Sequence, residues 1–258
     1  MRGCWSTLGG RLALLTVGHI FCGARLIDMF KLIPGIKRSV FRDNDPRATQ
    51  ADAVFVVRRP QVLERSRYTC QACQYRSMQT PKKGTKLQVH HKDDDHHNND
   101  DPNLVPICSL CHGYPHLGCK TSSTGGGGGL ASEAQLAAIP ELSAADLNNL
   151  LRAIGAAMSD PNEAEAARTM YDMLCERVRP VRQAFGTSKA LDFAGALAKL
   201  NSVEYANRGD VMFDLRLVWK ADVLKKAGQD MLEDFPSLKP GSWMASYGEL
   251  VDESLASA

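Results

Sequence analysis

Tyr68-Thr69-Cys70-Gln71-Ala72-Cys73 and Cys108-Ser109-Leu110-Cys111-His112 are the two stretches on which the fold of this chain turns. Each holds a C-x-x-C pair, and thirty-four residues, Gln74 to Ile107, lie between the pairs. A C-x-x-C pair sets two thiolates about one turn apart, which suits a tetrahedral metal better than a bridge between distant loops. Four soft sulfur ligands favour zinc, and a closed four-cysteine set leaves no position for a reacting water. Cys70, Cys73, Cys108 and Cys111 are therefore expected to hold one structural Zn2+ that staples the loop between them.

That loop concentrates the chain's histidines. His90, His91, His96, His97, His112 and His116 are six of the seven. Histidine titrates near neutrality, so it can take a proton from water or offer a lone pair to a metal. His96 and His97 lie in a run of Asp and Asn (Asp93 to Asp101) and read as members of a polar loop. His116 follows His112 by four, but Pro115 intervenes, which leaves a ligand role for it open. Between Arg58 and Lys86 eight Lys and Arg face a single acidic residue, Glu64. Arg65, Arg67, Arg76, Lys82, Lys83 and Lys86 could neutralise phosphates or form a solvated basic loop, and the sequence does not choose between these.

The order His90-His91, Asn103, His112 resembles the HNH nuclease superfamily. The resemblance implies His91 as the general base for attack of water on phosphorus and Asn103 as the residue that pins the loop behind it. It also implies His90 and His112 as ligands of a second divalent ion, Mg2+ or another first-row metal, which would offset charge on the leaving oxygen.

Around this core, 258 residues with 44% hydrophobic and 23% charged residues and a net charge of +2 describe an ordinary globular chain. Leu12, Leu14 and Thr16, then Ile20, Cys22 and Leu26 read as a β-hairpin over residues 10–34, and the short apolar run Leu12 to Val17 as part of it rather than as a signal peptide. Residues 42–53 read as a polar loop, Val54 to Val57 as a short strand, and Pro60 as the first turn of a short helix ending at Arg65. Gly125 to Gly129 read as a connector.

The C-terminal half reads helical. Ser143 and Asp146 form a capping-box-like start to a stripe of Leu147, Leu150, Leu151, Ile154 and Met158. A second helix begins at Asp160-Pro161, with Pro180 kinking or ending it, and Ser188 caps a third. A fourth carries Leu215, Val218, Trp219 and Leu224 towards Leu232. The expected class is α+β: an N-terminal hairpin and loop (1–57), an HNH-like ββα zinc finger (58–120), a Gly-rich connector (121–138), a helical domain (139–235) and a polar tail (236–258). No segment has the roughly 18 apolar residues of a membrane span. Cys4, Cys22, Cys119 and Cys175 read as free thiols, as in a reducing cytoplasm.

The arrangement from about residue 10 to 232 is also similar to the DotN/IcmJ family of type IVB (Dot/Icm-like) secretion and conjugation systems. Its marks are the leading hairpin, Tyr68-Thr69-Cys70-Gln71, the glycine run, Ile139-Pro140-Glu141-Leu142-Ser143, Asp146-Leu147-Asn148, Arg168-Thr169-Met170-Tyr171 and Phe185-Gly186-Thr187-Ser188. This similarity implies a zinc-stabilised adaptor of the coupling complex. Its partners would be the C-terminal extension of the coupling ATPase and other coupling-complex proteins, met at the cytoplasmic face of the inner membrane. In such adaptors the catalytic positions are often degenerate. Here His90, His91, Asn103 and His112 all stand, so the alternative is a metal-dependent HNH endonuclease that cleaves DNA.

Overall fold

The computed structural model describes residues 30–38, 47–78, 84–117 and 133–242. Within these the chain is α+β, with two small antiparallel sheets among helices. The first helix, α1 (Arg47–Arg65), replaces the loop expected through residue 53 and the strand expected at Val54 to Val57, and it continues across position 57/58. The β-branched Val54, Val56 and Val57 suit a strand, but among the described residues no strand pairs with them. They lie exposed on the helix, and only Ala51, Val62 and Leu63 are buried. Pro60 sits inside α1 rather than in a first turn. It cannot donate a hydrogen bond to the Val56 carbonyl, and Val56 faces solvent, where water can satisfy that oxygen.

Strands β1 (Leu87–His91) and β2 (Leu104–Cys108) pair with Leu87 opposite Cys108 and His91 opposite Leu104. A four-residue helix, α2 (Ser109–His112), follows β2 directly. The remaining chain runs β3 (Ala134–Ala138), α3 (Ala144–Ala157), α4 (Ala164–Glu176), α5 (Val178–Phe185), α6 (Ala190–Leu197), α7 (Ser202–Ala206), α8 (Arg208–Val211), β4 (Leu215–Trp219) and α9 (Ala221–Asp234), then a short 3-10 turn at Pro240–Ser242.

Ser143 caps α3 as its sequence implies, its hydroxyl accepting from Asp146 N at 3.1 Å. Three other expectations are corrected. Leu215 to Trp219 form a strand, paired with β3 from Ala134↔Trp219 to Ala138↔Leu215. All five residues are buried, so the i, i+3, i+4 pattern of Leu215, Val218 and Trp219 does not mark a helix face. The second helix ends at Glu176 and Val178 opens α5, where Pro180 occupies the first turn and has no intrahelical bond to lose. Lys189, not Ser188, precedes α6. The Ser188 hydroxyl instead meets Gln135 Oε1 at 3.0 Å.

The hairpin expected at 10–34 falls outside the described residues up to 29, and residues 30–38 form no regular element. They run as a strap across the molecule. Gly35 N donates to Tyr114 O and Leu117 N to Gly35 O, each at 2.8 Å. The Tyr205 hydroxyl donates to Ile36 O and accepts from Ile36 N, and Arg208 Nε donates to Pro34 O.

The buried core is continuous from Val62 and Leu63 through the β1–β2 hairpin to β3, α3, β4 and α9. Two close approaches set its geometry. A Cβ on Gly155 of α3 would stand 1.9 Å from Leu224 O of α9, and one on Gly228 of α9 would stand 2.1 Å from Ala156 N. The two helices therefore touch backbone to backbone, which only glycine permits. Gly113, just after α2, likewise lies under the Trp219 ring. This contact locks β4 onto the segment that carries the second cysteine pair. Among the described residues no helix is long and apolar enough to cross a membrane.

Candidate metal centre and histidine site

The first cysteine pair sits on a tight turn that follows α1. Cys70 N donates to Tyr75 O, Gln74 N returns to Cys70 O, and Gln74 takes a left-handed backbone. Gln71 N donates to Pro106 O at 2.9 Å, which fastens this turn to β2. Cys108 ends β2 and Cys111 lies one turn on, within α2. Strand end and helix start thus deliver the second pair opposite the first, and all four sulfurs fall within 4.8 Å of one another and are buried.

The surroundings fit a metal-bound thiolate set. Three N–H groups point at sulfur: Cys108 N at 3.3 Å from Cys70 Sγ, Asn148 Nδ2 at 3.3 Å from Cys111 Sγ, and Arg152 Nη2 at 3.1 Å from Cys108 Sγ. Such donors are useful to electron-rich thiolates and of little use to neutral thiols. Hydrogen bonds from Cys111, Cys70 and Cys73, together with the Arg152 charge, hold the Cys108 thiol well below its ordinary range, while burial pushes Cys111 up. Arg152 is itself buried, bonded through Nη1 to Asn149 Oδ1 at 2.8 Å and stacked 4.1 Å over the Tyr75 ring. The four cysteines can therefore hold a metal ion whose outer shell comes from α3. Asn148 and Arg152 were legible in principle, as polar residues four apart on the apolar stripe of Leu147 and Leu151.

The second group is His90, His112 and His116, whose ring nitrogens also come within 4.8 Å of one another. His90 comes from β1, His112 from the end of α2 and His116 from the turn beyond, with ring centroids 4.5 to 5.2 Å apart. His116, left open on sequence because of Pro115, therefore joins the two expected ligands. A turn after α2 carries the chain past the proline, with His116 N donating to Gly113 O. Burial holds His90 down at about 2, helped by His112 and His116. Burial likewise lowers His112 to about 3, and burial with Lys37 lowers His116 to about 4. All three are neutral at pH 7, the form that offers a lone pair to a cation. His112 Nδ1 is hydrogen-bonded to Gln88 Oε1, an acceptor, which leaves Nε2 as the lone-pair nitrogen. Gln88 shares a face of β1 with His90 by the two-residue period of a strand.

His91 turns to the other face of β1. Its ring stacks on His96 at 4.6 Å and lies 5.2 Å from Phe55 of α1, whereas His90 meets Phe30, His112 and His116. His91 Nε2 is 3.0 Å from Asn99 Oδ1. Asn103 does not touch His91 directly. Its amide bonds Asp93 Oδ1 and Asn98 O, its Oδ1 accepts from Asp93 N, and its carbonyl accepts from Lys92 N. Asn103 thus ties both ends of the 92–103 loop, and Asn99 makes the contact to the ring.

The basic stretch is largely engaged elsewhere. Arg59 donates to Leu87 O, Arg65 donates to Asp101 O and Leu104 O and pairs with Asp101, and Lys86 meets Asp230, Glu233 and Asp234. Lys82 and Lys83 fall outside the described residues.

No protein-family model matches the chain, and no curated protein matches it.

Proposed function

We propose that the chain is an HNH-type, zinc-stabilised protein whose second metal centre serves phosphodiester hydrolysis in DNA. The observation that carries this reading is the assembled set of three neutral imidazoles, His90, His112 and His116, beside a pinned loop that holds His91. In this reading Zn2+ occupies the four cysteines, and the β1–β2–α2 unit is the ββα core. His90, His112 and His116, three imidazole donors, would hold a divalent ion such as Zn2+ or Ni2+ rather than oxygen-seeking Mg2+, and that ion would stabilise negative charge on the phosphate and the departing oxygen. His91 accepts the proton of the attacking water as the water oxygen forms its bond to phosphorus. The leaving oxygen departs with the electron pair of the broken P–O bond and takes a proton from solvent. Asn103 keeps the loop behind His91 in place.

Plasmid nicking by the purified chain, with Mg2+, Mn2+, Ni2+ or Zn2+ added and with chelator as control, tests the proposal. His112→Ala and His116→Ala should abolish nicking and lower bound metal from two equivalents to one, with the fold retained. One equivalent in the wild type and no nicking with any metal would end this reading.

A second reading rests on a different observation. His90 and His91 are only 5% and 4% exposed, under Phe30 and Phe55, and Arg59, Arg65 and Lys86 are committed to internal contacts. A covered site, with these three basic residues engaged internally, suits an adaptor of a type IVB coupling complex, docked on the C-terminal extension of the coupling ATPase. Calorimetric titration with a peptide of that extension separates the two. Binding that survives His91→Ala, with no nicking by wild type, would favour the adaptor.

A further inference from the structure

We infer that Asn99 is the positioning residue of His91, fixing which ring nitrogen carries the hydrogen and leaving Nδ1 as the acceptor. The inference rests on the hydrolase reading for its consequence in turnover, but the tautomer itself is a property of the folded chain alone.

Two kinds of contact hold the His91 ring. His96 stacks nearly parallel to it, with an interplanar angle of 21°, and Phe55 lies against it at 34°. Stacking sets the plane of an imidazole but is almost indifferent to a half-turn of the ring, which exchanges the nitrogen and carbon positions. The 3.0 Å contact from Nε2 to Asn99 Oδ1 removes that ambiguity. An amide oxygen only accepts, so Nε2 must carry the hydrogen, and in the neutral ring Nδ1 then keeps its lone pair.

The other contacts of the Asn99 amide fix which way round it lies. Asn99 Nδ2 donates to Ala51 O at 3.1 Å and to His96 O at 3.4 Å. Both partners are carbonyl oxygens, so turning the amide over would set oxygen against oxygen twice. Asn99 is buried, which makes those lost bonds expensive. The orientation is thus passed from the α1 backbone at Ala51, through the Asn99 amide, to His91.

The groups around His91 are accounted for by element. Lys37 of the strap lies 2.9 Å from Nε2 of His96, the ring stacked on His91. Asp93 is on the loop, and His90 is the preceding residue in β1. None of these contacts selects between the two nitrogens of His91. Asn103 does not contact the ring, so its pinning of the loop is a separate task.

The test uses the full chain, labelled with 15N-histidine and loaded with Zn2+. Long-range 1H–15N correlation at pH 7.5 reads the tautomer of each histidine, with a His91→Gln variant assigning the His91 signals. The expected wild-type pattern is a protonated Nε2 and an unprotonated Nδ1. Asn99→Ala should give a mixture of tautomers and lower kcat for plasmid nicking about 100-fold, within the range general-base catalysis contributes, with little change in KM. Asn99→Asp retains an acceptor oxygen though it loses the Ala51 bond, and it should restore the single tautomer and most of kcat. It also serves as the folded variant should Asn99→Ala not fold. A protonated Nδ1 in the wild type would overturn the inference, as would an unchanged tautomer in a folded Asn99→Ala. The expected tautomer pattern in all three proteins, beside a wild type inert with every metal, would uphold Asn99 and remove the hydrolase reading instead.

Discussion

Replacing Arg152 with methionine should weaken metal binding at the four cysteines and destabilise the chain even without a metal. The guanidinium lies 3.1 Å from Cys108 Sγ and 4.0 Å from Cys73 Sγ. Two opposite unit charges 3.1 Å apart attract by about 5 kcal/mol at an effective dielectric of 20, and desolvation of the buried guanidinium takes back much of this. Hydrogen bonds to charged groups contribute about 1.5–3 kcal/mol net. At about 1.4 kcal/mol per decade, zinc affinity should fall roughly 10- to 100-fold, as outer-shell losses generally do. Without the ion the Cys108 thiol still lies well below its ordinary range beside its sulfur neighbours and Arg152, so removing the guanidinium leaves a buried negative sulfur without its counter-charge, which destabilises by several kcal/mol. Methionine fills similar space with no charge. Transfer of Zn2+ to a chromophoric chelator gives the affinity, and urea titration of loaded and stripped protein gives the stability. Two results would refute the reasoning: zinc affinity within twofold of wild type, or a stripped Arg152→Met chain as stable as the stripped wild type.

Other outcomes follow from the same packing. Gly155→Ala gains about 1 kcal/mol of helix propensity. Its methyl group would still stand 1.9 Å from Leu224 O, and forcing the two helices apart should cost about 3 kcal/mol or more, read as a fall in urea midpoint. Ser143→Ala removes the α3 cap and should cost about 1 kcal/mol in the same assay. Acid should destabilise the chain with a defined sign: His90, His112 and His116 sit at about 2, 3 and 4 when folded against an ordinary value of 6.5. The unfolded chain binds more protons in that window, so their contribution is complete above about pH 6.5 and is lost as pH falls towards the folded values. With three such groups the slope should approach about 4 kcal/mol per pH unit near pH 5, and urea titrations at pH 7.5, 6 and 5 measure it. His116→Gln should remove about a third of that slope.

Sequence alone determined the features that depend on local spacing. The two C-x-x-C pairs had to present four sulfurs from two turns, and they meet. Ser143 and the stripe from Leu147 to Met158 had to form a capped helix, because the 3.6-residue period and the cap are local properties. His90 and His112 came together as their order suggested. What only the tertiary structure decided rests on contacts between distant segments. Residues 54–57 belong to a helix that packs Phe55 on His91 of β1 rather than pairing with that strand, which a run of valines does not reveal. Leu215 to Trp219 are a strand because Ala134 to Ala138, with little β propensity of their own, lie opposite. Pro115 did not keep His116 from His90 and His112, since a turn after α2 carries the chain around it. Arg152 and Asn99 became part of the two sites only because α3 packs beneath the cysteines and α1 lies over the 92–103 loop. Side-chain chemistry is written residue by residue, whereas its partners are set by how the chain closes on itself, and a single sequence carries no direct record of that closure.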